Sequence, residues 1–176
     1  MPLDLNKPYP KRARLLDRSS YMGTRGYFIT INTKGREKFF MHPNIVSSVV
    51  EYLRDAADKK CFDVIVYCFM PDHTHLVLVG RGDHSDLLTF VTYYKQVSGY
   101  YFKKKFGTSL WATSFHDRVL RKEEDIKSVG RYVLRNPVRA GIVSDAMDYL
   151  CSGSFVYDLH TLMENDSFSR FDFSQA

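Results

Sequence analysis

The chain has 176 residues, 44% of them hydrophobic and 26% charged, proportions that suit one globular domain able to bury its own core without disulfide staples. No apolar run approaches the roughly 20 residues that a membrane-spanning helix needs, which excludes a helical membrane protein. The 25 basic side chains outnumber the 20 acidic ones, for a formal charge of +5, an excess that permits a polyanionic partner without requiring one.

Residues 1–25 carry Pro2, Pro8 and Pro10 together with Lys11, Arg12, Arg14 and Arg18, and predict a basic extended arm. The first 14 residues have no apolar stretch of the kind a secretion signal needs. Tyr27-Phe28-Ile29-Thr30-Ile31 is rich in β-branched and aromatic residues and predicts a strand. After the break at His42-Pro43-Asn44, the residues Ile45, Val49, Tyr52, Leu53 and Ala56 recur at helical spacing. Phe62 to Phe69 and His73 to Val79 predict two strands of a hairpin joined at Met70-Pro71-Asp72. Leu87, Phe90, Val91, Tyr94, Val97 and Tyr101 fall on one helical face. Lys103, Lys104 and Lys105 close that helix favourably for its dipole, and Gly107 stops it. A short strand near Phe115 to Leu120 follows. Glu123, Glu124 and Asp125 open a helix expected to run to about Arg135 or Asn136, because Pro137 disfavours helical geometry in the residue before it.

The predicted order is β-α-β-β-α-β and then a helix: an α+β, ferredoxin-like antiparallel sheet with an added C-terminal helix that bears Tyr132. The expected division is an arm over 1–25, a domain over 26–143 and a partly disordered extension over 144–176, loosely ordered from about Leu162. Cys61, Cys68 and Cys151 form no CxxC pair, and an odd count without a signal peptide predicts reduced thiols in a cytoplasm. Fold alone does not give function, since RNA-binding modules and many enzymes share this order.

Two clusters carry candidate chemistry. In Pro71-Asp72-His73-Thr74-His75-Leu76, strand alternation puts His73 and His75 on one face, close enough to share a metal ion. The plain alternative is a pair of surface or hydrogen-bonded histidines. In Arg131-Tyr132-Val133-Leu134-Arg135-Asn136-Pro137, Tyr132 and Asn136 are four apart and expected on one helix face. A phenolic oxygen can act as a nucleophile if a base or nearby positive charge assists it, since its ordinary pKa is about 10. The alternative there is a core tyrosine and a helix-end asparagine before proline.

Together the clusters resemble a known family. Phe69-Met70-Pro71-Asp72-His73-Thr74-His75-Leu76 is similar to the HUH motif of the single-tyrosine, IS200-like transposases. Tyr132-Val133-Leu134-Arg135-Asn136-Pro137-Val138-Arg139-Ala140-Gly141-Ile142-Val143 resembles the tyrosine helix of their REP-associated branch. Leu110-Trp111, Phe115-His116-Asp117-Arg118-Val119-Leu120-Arg121, Pro10-Lys11-Arg12-Ala13-Arg14 and Tyr27-Phe28-Ile29-Thr30 resemble that branch too, so the similarity covers roughly residues 8–158. Thr74 departs from the motif, which implies a bulky hydrophobe there, but threonine suits a strand.

The resemblance implies a DNA-nicking and -joining enzyme. His73, His75 and Asn136 would hold Mg²⁺ or Mn²⁺, with positions left for a phosphate oxygen and water. Tyr132 would attack the scissile phosphorus of single-stranded DNA, giving a 5′-phosphotyrosine and a free 3′-hydroxyl. No ATP is implied, and the chain has no Gly-rich phosphate loop. The implied partner is single-stranded or hairpin DNA with palindromic repeats, bound by a monomer or homodimer in the bacterial cytoplasm with the nucleoid, without a membrane.

Binding such a strand requires phosphate neutralisation and base stacking. The candidates are Arg12, Arg14, Lys95, Gln96, Lys103, Lys104, Lys105, Arg118, Arg121, Lys122, Arg131, Arg135 and Arg139, with Tyr93 and Tyr100 for stacking. His116 is a candidate partner behind the metal ligands, while His42, His84 and His160 are expected at the surface. Three other functions compete. The first is a domesticated protein that binds DNA hairpins without cutting them. The second is a two-histidine phosphoesterase, which needs a second His-x-Thr that the chain lacks. The third is an RNA-binding module, for which Tyr27 and Phe28 are a poor substitute for paired sheet aromatics.

Overall fold

A computed structural model of the protein describes residues 17–121 and 125–164. Arg12, Arg14, Lys122, Glu123, Glu124 and the chain after Glu164 lie outside the described residues. The elements in order are β1 (Gly26–Asn32), α1 (Pro43–Lys60), β2 (Phe62–Met70), β3 (His73–Gly80), α2 (Leu87–Phe106), β4 (His116–Val119), α3 (Ile126–Leu134), α4 (Asn136–Arg139), β5 (Ser152–Gly153) and α5 (Leu159–Glu164). The sheet is antiparallel in the order β4-β1-β3-β2-β5. Its first four strands have the ferredoxin-like arrangement expected from the sequence, and β5 extends it at the β2 edge.

Side-chain alternation divides the sheet between two layers. Tyr27, Ile29, Ile31, Leu76 and Leu78 face α1 and α2 and are almost fully buried with Leu53, Phe90 and Tyr94. Phe28, Cys68, Met70 and Val77 face the other way, against Val133 and Leu134 of α3 and Leu162 of α5. Each such large apolar side chain contributes about 1.5–3 kcal/mol on burial. A bulge in β2 adjusts this alternation. Pairing passes from Val64↔Leu78 to Val66↔Val77, so Ile65 is an extra residue and both Ile65 and Val66 join the α3 layer.

The helix ends follow local chemistry. Asp86 caps α2 by accepting from the backbone N–H groups of Leu88 and Thr89, and Gly107 ends it in the left-handed conformation. Pro43 opens α1, and Cys61 ends it at φ 58°. Asp125 caps α3.

Three expectations are corrected. Residues 17–25 are not extended: Tyr21 is buried, Arg18 pairs with Asp86 at 3.3 Å, and Gly23 N–H donates to the Ser85 carbonyl. Leu162 itself packs in the α3 layer and belongs to α5, while the tail after Glu164, expected to be loosely ordered, lies outside the described residues. The tyrosine helix stops at Leu134, and Asn136 opens the separate short helix α4. Pro137 has no N–H for the Val133 carbonyl one turn back, so the helix cannot continue regularly through it.

Candidate active site

His73 and His75 sit at the end of β3 on the sheet face that α3 covers. Their Nε2 atoms lie 3.1 Å apart, with the rings edge-on at 4.6 Å. Each Nδ1 is held from behind. The Nδ1–H of His73 donates to Asp72 Oδ1 at 2.6 Å, and His75 Nδ1 lies 2.9 Å from Thr30 Oγ1. The His75 ring also stacks on Phe28, with centroids 5.5 Å apart. Both imidazoles are biased towards the neutral form. Burial lowers His73 despite the opposing pull of Asp72. Burial, then the positive charges of His73, Arg36 and Arg139, pushes His75 down to about 3.

This donor set fits a cation. The Asp72 carboxylate only accepts, so it fixes the proton of neutral His73 on Nδ1 and leaves a lone pair on Nε2. With Nδ1–H of His75 directed at Thr30, the second Nε2 lone pair faces the first. At a separation of 3.1 Å, both nitrogens can lie about 2.1 Å from one ion. Among the described residues there is no group of three His, Cys, Asp or Glu side chains around a common point. Among the described residues an amide oxygen is a chemically suitable third ligand.

Asn136 is oriented by its own helix break. Its Nδ2 donates to the Val133 carbonyl at 3.1 Å, the acceptor to which Pro137 has no N–H to offer. A carbonyl can only accept, so the amide nitrogen is the bonded end and Oδ1 remains available as a ligand.

Tyr132 lies on α3 against the same layer as Phe28 and Val77. Its hydroxyl is out of solvent and has no hydrogen-bond partner among the described residues. The Arg139 guanidinium sits over its ring, 4.3 Å from the centroid. Because the Arg139 charge also reaches His75, this arginine links the tyrosine to the histidine pair. Gly130 sets the height of α3 on the sheet: a Cβ there would stand 3.0 Å from Val66 Cγ2.

The remaining candidates divide by layer. Strand register aligns His116, Thr30 and His75 in one row, so His116 shares the histidine face but stands two strands from His75. It stands next to the Thr30 that holds His75, and among the described residues it forms no three-membered ligand group with the histidine pair. Arg118 pairs with Phe28 and shares that face. Arg121, Arg135 and Arg139 are exposed around it. Arg131 is corrected: its side chain is 7% exposed and bonds Ser128 Oγ, Asp125 Oδ2 and the Leu162 carbonyl, so it braces α3 instead of meeting DNA. Lys95, Gln96 and Lys103 to Lys105 are on α2, across the sheet from the histidines, and Lys95 Nζ donates to the carbonyls of Ala112 and Thr113. The Tyr93 hydroxyl is bonded to Asp55 and Lys59 on that same side, while Tyr100 is 62% exposed there. His42, His84 and His160 are exposed as expected. Thr74 points into the α1–α2 layer, fully buried, and its hydroxyl donates to the Cys68 carbonyl.

Sequence reasoning missed Asp72, Thr30 and Arg36. Asp72 read as a turn residue and Thr30 as a strand former. Their roles depend on neighbours that strand pairing supplies. One signal was present: Thr30 is polar within an apolar strand.

The family described as "Transposase IS200 like" matches residues 24–136, more than half of the chain. A Haemophilus influenzae protein described as a REP-associated tyrosine transposase is 23% identical over 138 residues, covering 70% of this chain and 76% of that protein. The solved structure of a REP-associated tyrosine transposase bound to a REP hairpin superposes with a TM-score of 0.67 at 18% identity, covering 81% of this chain and 82% of that one. That likeness is one of fold. The match over residues 24–136 places this protein in the IS200-like transposase family.

Proposed function

We propose that the protein is a metal-dependent endonuclease and strand transferase for single-stranded DNA, acting on hairpin or palindromic repeat sequences. The observation that carries this is the convergence of the His73 and His75 Nε2 atoms at 3.1 Å, each ring anchored through Nδ1, on the face where the Tyr132 hydroxyl is buried without a partner. A hairpin substrate is supported by the REP hairpin named with the solved relative. The setting proposed is bacterial and nucleoid-associated, with the protein a monomer or homodimer.

His73, His75 and Asn136 Oδ1 would hold Mg²⁺ or Mn²⁺. The bound ion would polarise a phosphate oxygen and offset the charge that develops there. The chain's own residues do the rest. Tyr132 Oη bonds to the scissile phosphorus as the 3′-oxygen of the preceding nucleotide leaves, giving a 5′-phosphotyrosine and a free 3′-hydroxyl. The phenolic proton is given up to solvent and the leaving 3′-oxygen takes one up as it departs, while the Arg139 guanidinium lies over the tyrosine ring. Attack by a 3′-hydroxyl on the phosphotyrosine rejoins the strand and releases Tyr132, so no nucleotide triphosphate is consumed. Phosphate contacts fall to Arg118, Arg121, Arg135 and Arg139 on the active face, and to Arg12 and Arg14 in the arm.

The test is a denaturing gel of the protein mixed with labelled hairpin oligonucleotides from the DNA flanking its gene, with Mg²⁺ or Mn²⁺. A covalent band that disappears with Tyr132→Phe and with EDTA is expected. Hairpin binding with no adduct, across both metals and several hairpins, would instead identify a non-catalytic hairpin-binding protein.

A further inference from the structure

Arg36 stands at the mouth of the histidine pair in a conformation that side chains rarely adopt. The tight turn after β1 places Gly35 at φ 64° and Arg36 at φ 60°. A glycine suits such backbone; an L side chain is strained there, and strain of this kind concentrates at functional sites. The turn is clamped to the histidine hairpin and to the segment before β4. Thr33 N–H donates to the Asp72 carbonyl at 3.0 Å, Lys34 N–H to the Leu110 carbonyl at 2.9 Å and Phe40 N–H to the Pro71 carbonyl at 3.0 Å.

The side chain is held as firmly as the backbone. Arg36 Nε pairs with Asp72 Oδ2 at 2.9 Å, and Nη1 donates to Asn32 Oδ1 at 2.6 Å. Asp72 is the residue that holds His73, and Asn32 is the strand partner of His73. Two bonds therefore fix the plane of the guanidinium. Nη2 has no hydrogen-bond partner among the described residues, and the side chain remains 54% exposed. Its charge is felt by both histidines. Arg139 adds positive charge from the helix side, over Tyr132.

We propose that Arg36 is a phosphate-binding residue, pre-oriented by Asp72 and Asn32 to take a backbone phosphate of the DNA strand beside the scissile one. This rests on the DNA chemistry proposed above. A guanidinium with its plane already fixed loses little freedom on meeting a phosphate, and its outward N–H groups match phosphate oxygens. The contact needs no bound cation. It would fix the register of the strand across the histidine pair, so that one phosphate in particular reaches Tyr132.

The test is fluorescence anisotropy with a labelled single-stranded hairpin oligonucleotide in EDTA, over a range of salt concentrations. Arg36→Gln is expected to weaken binding by roughly five- to tenfold at low salt and to reduce the slope of log affinity against log salt by about 0.7. Arg36→Lys should restore the slope. Arg36→Gly should lose DNA affinity as Arg36→Gln does, with a melting temperature at or above that of the wild type, because glycine relieves the left-handed strain. An oligonucleotide with one methylphosphonate next to the scissile position should bind wild type and Arg36→Gln equally. If the wild type binds the hairpin and Arg36→Gln binds it with the same affinity and slope, the assignment of Arg36 is overturned. If the wild type itself does not bind, the proposed DNA function fails first.

Discussion

The side-chain amide of Asn136 donates to the Val133 carbonyl at 3.1 Å, supplying the hydrogen bond that Pro137 cannot make. One asparagine thus closes the end of the tyrosine helix while its Oδ1 is not the bonded end of the amide. The two roles separate by mutation. Asn136→Ala should cost about 1 kcal/mol of stability through the lost side-chain bond and should also weaken Mn²⁺ binding. Adding Pro137→Ala returns a backbone N–H to Val133 and should recover part of the stability but none of the metal affinity. Chemical denaturation and Mn²⁺ titration calorimetry read the two effects. Recovery of both would mean that Asn136 acts only as a cap.

Gly130 lets α3 lie close on β2, with the Cβ position 3.0 Å from Val66 Cγ2. Gly130→Val should cost about 1–3 kcal/mol by overpacking and lift Tyr132 away from the histidine face. Covalent adduct formation should fall at least tenfold, while hairpin affinity stays within about twofold, because a 1 Å misplacement of a reacting group is expensive. Equal losses in both measurements would count against a positional role for this glycine.

His75 gives the metal-free protein a defined acid sensitivity. Its imidazole titrates at about 3 in the folded chain, against an ordinary value of 6.5. The unfolded chain therefore takes up the proton first as pH falls, and stability drops. The contribution of neutral His75 is complete above pH 6.5 and is lost progressively down to about pH 3. Melting curves in EDTA should fall across that window, and His75→Asn should flatten the part of the fall that begins near pH 6.5. A wild-type profile unchanged between pH 7 and pH 5 would contradict the neutral, buried state.

The cysteines should react in an order set by burial. Cys61 is exposed at the end of α1, whereas Cys68 is buried and its thiol is pushed up to about 12 by burial. Alkylation at pH 8 in the native state should modify Cys61 within minutes and leave Cys68 intact until unfolding, as mass spectrometry of peptides would show. Cys61 also holds φ 58°, so Cys61→Gly should raise stability by up to about 1 kcal/mol. A loss of stability there would show that the side chain makes a contact worth more than the strain.

Local patterns in the sequence determined the elements and the chemistry on offer. Strand alternation placed His73 and His75 on one face, and the spacing Phe62 to Val79 with a two-residue turn gave the hairpin that carries them. Helical periodicity placed α1 and α2, with Gly107 marking the end of the second. These features depend on residues a few positions apart, so one chain suffices to read them. Tertiary structure decided the partners. The proton on His73 is set by Asp72, which Arg36 holds from a turn 36 positions earlier. His75 is fixed by Thr30 from a neighbouring strand. Arg131 and Arg139 look alike along the sequence, yet one is buried as a brace for α3 and the other lies over Tyr132. A helical periodicity tells which residues share a face but not which layer that face meets. Pairing across the sheet, fixed by the packing of the two layers, separated the active face from the face that carries Lys95 and Lys103 to Lys105.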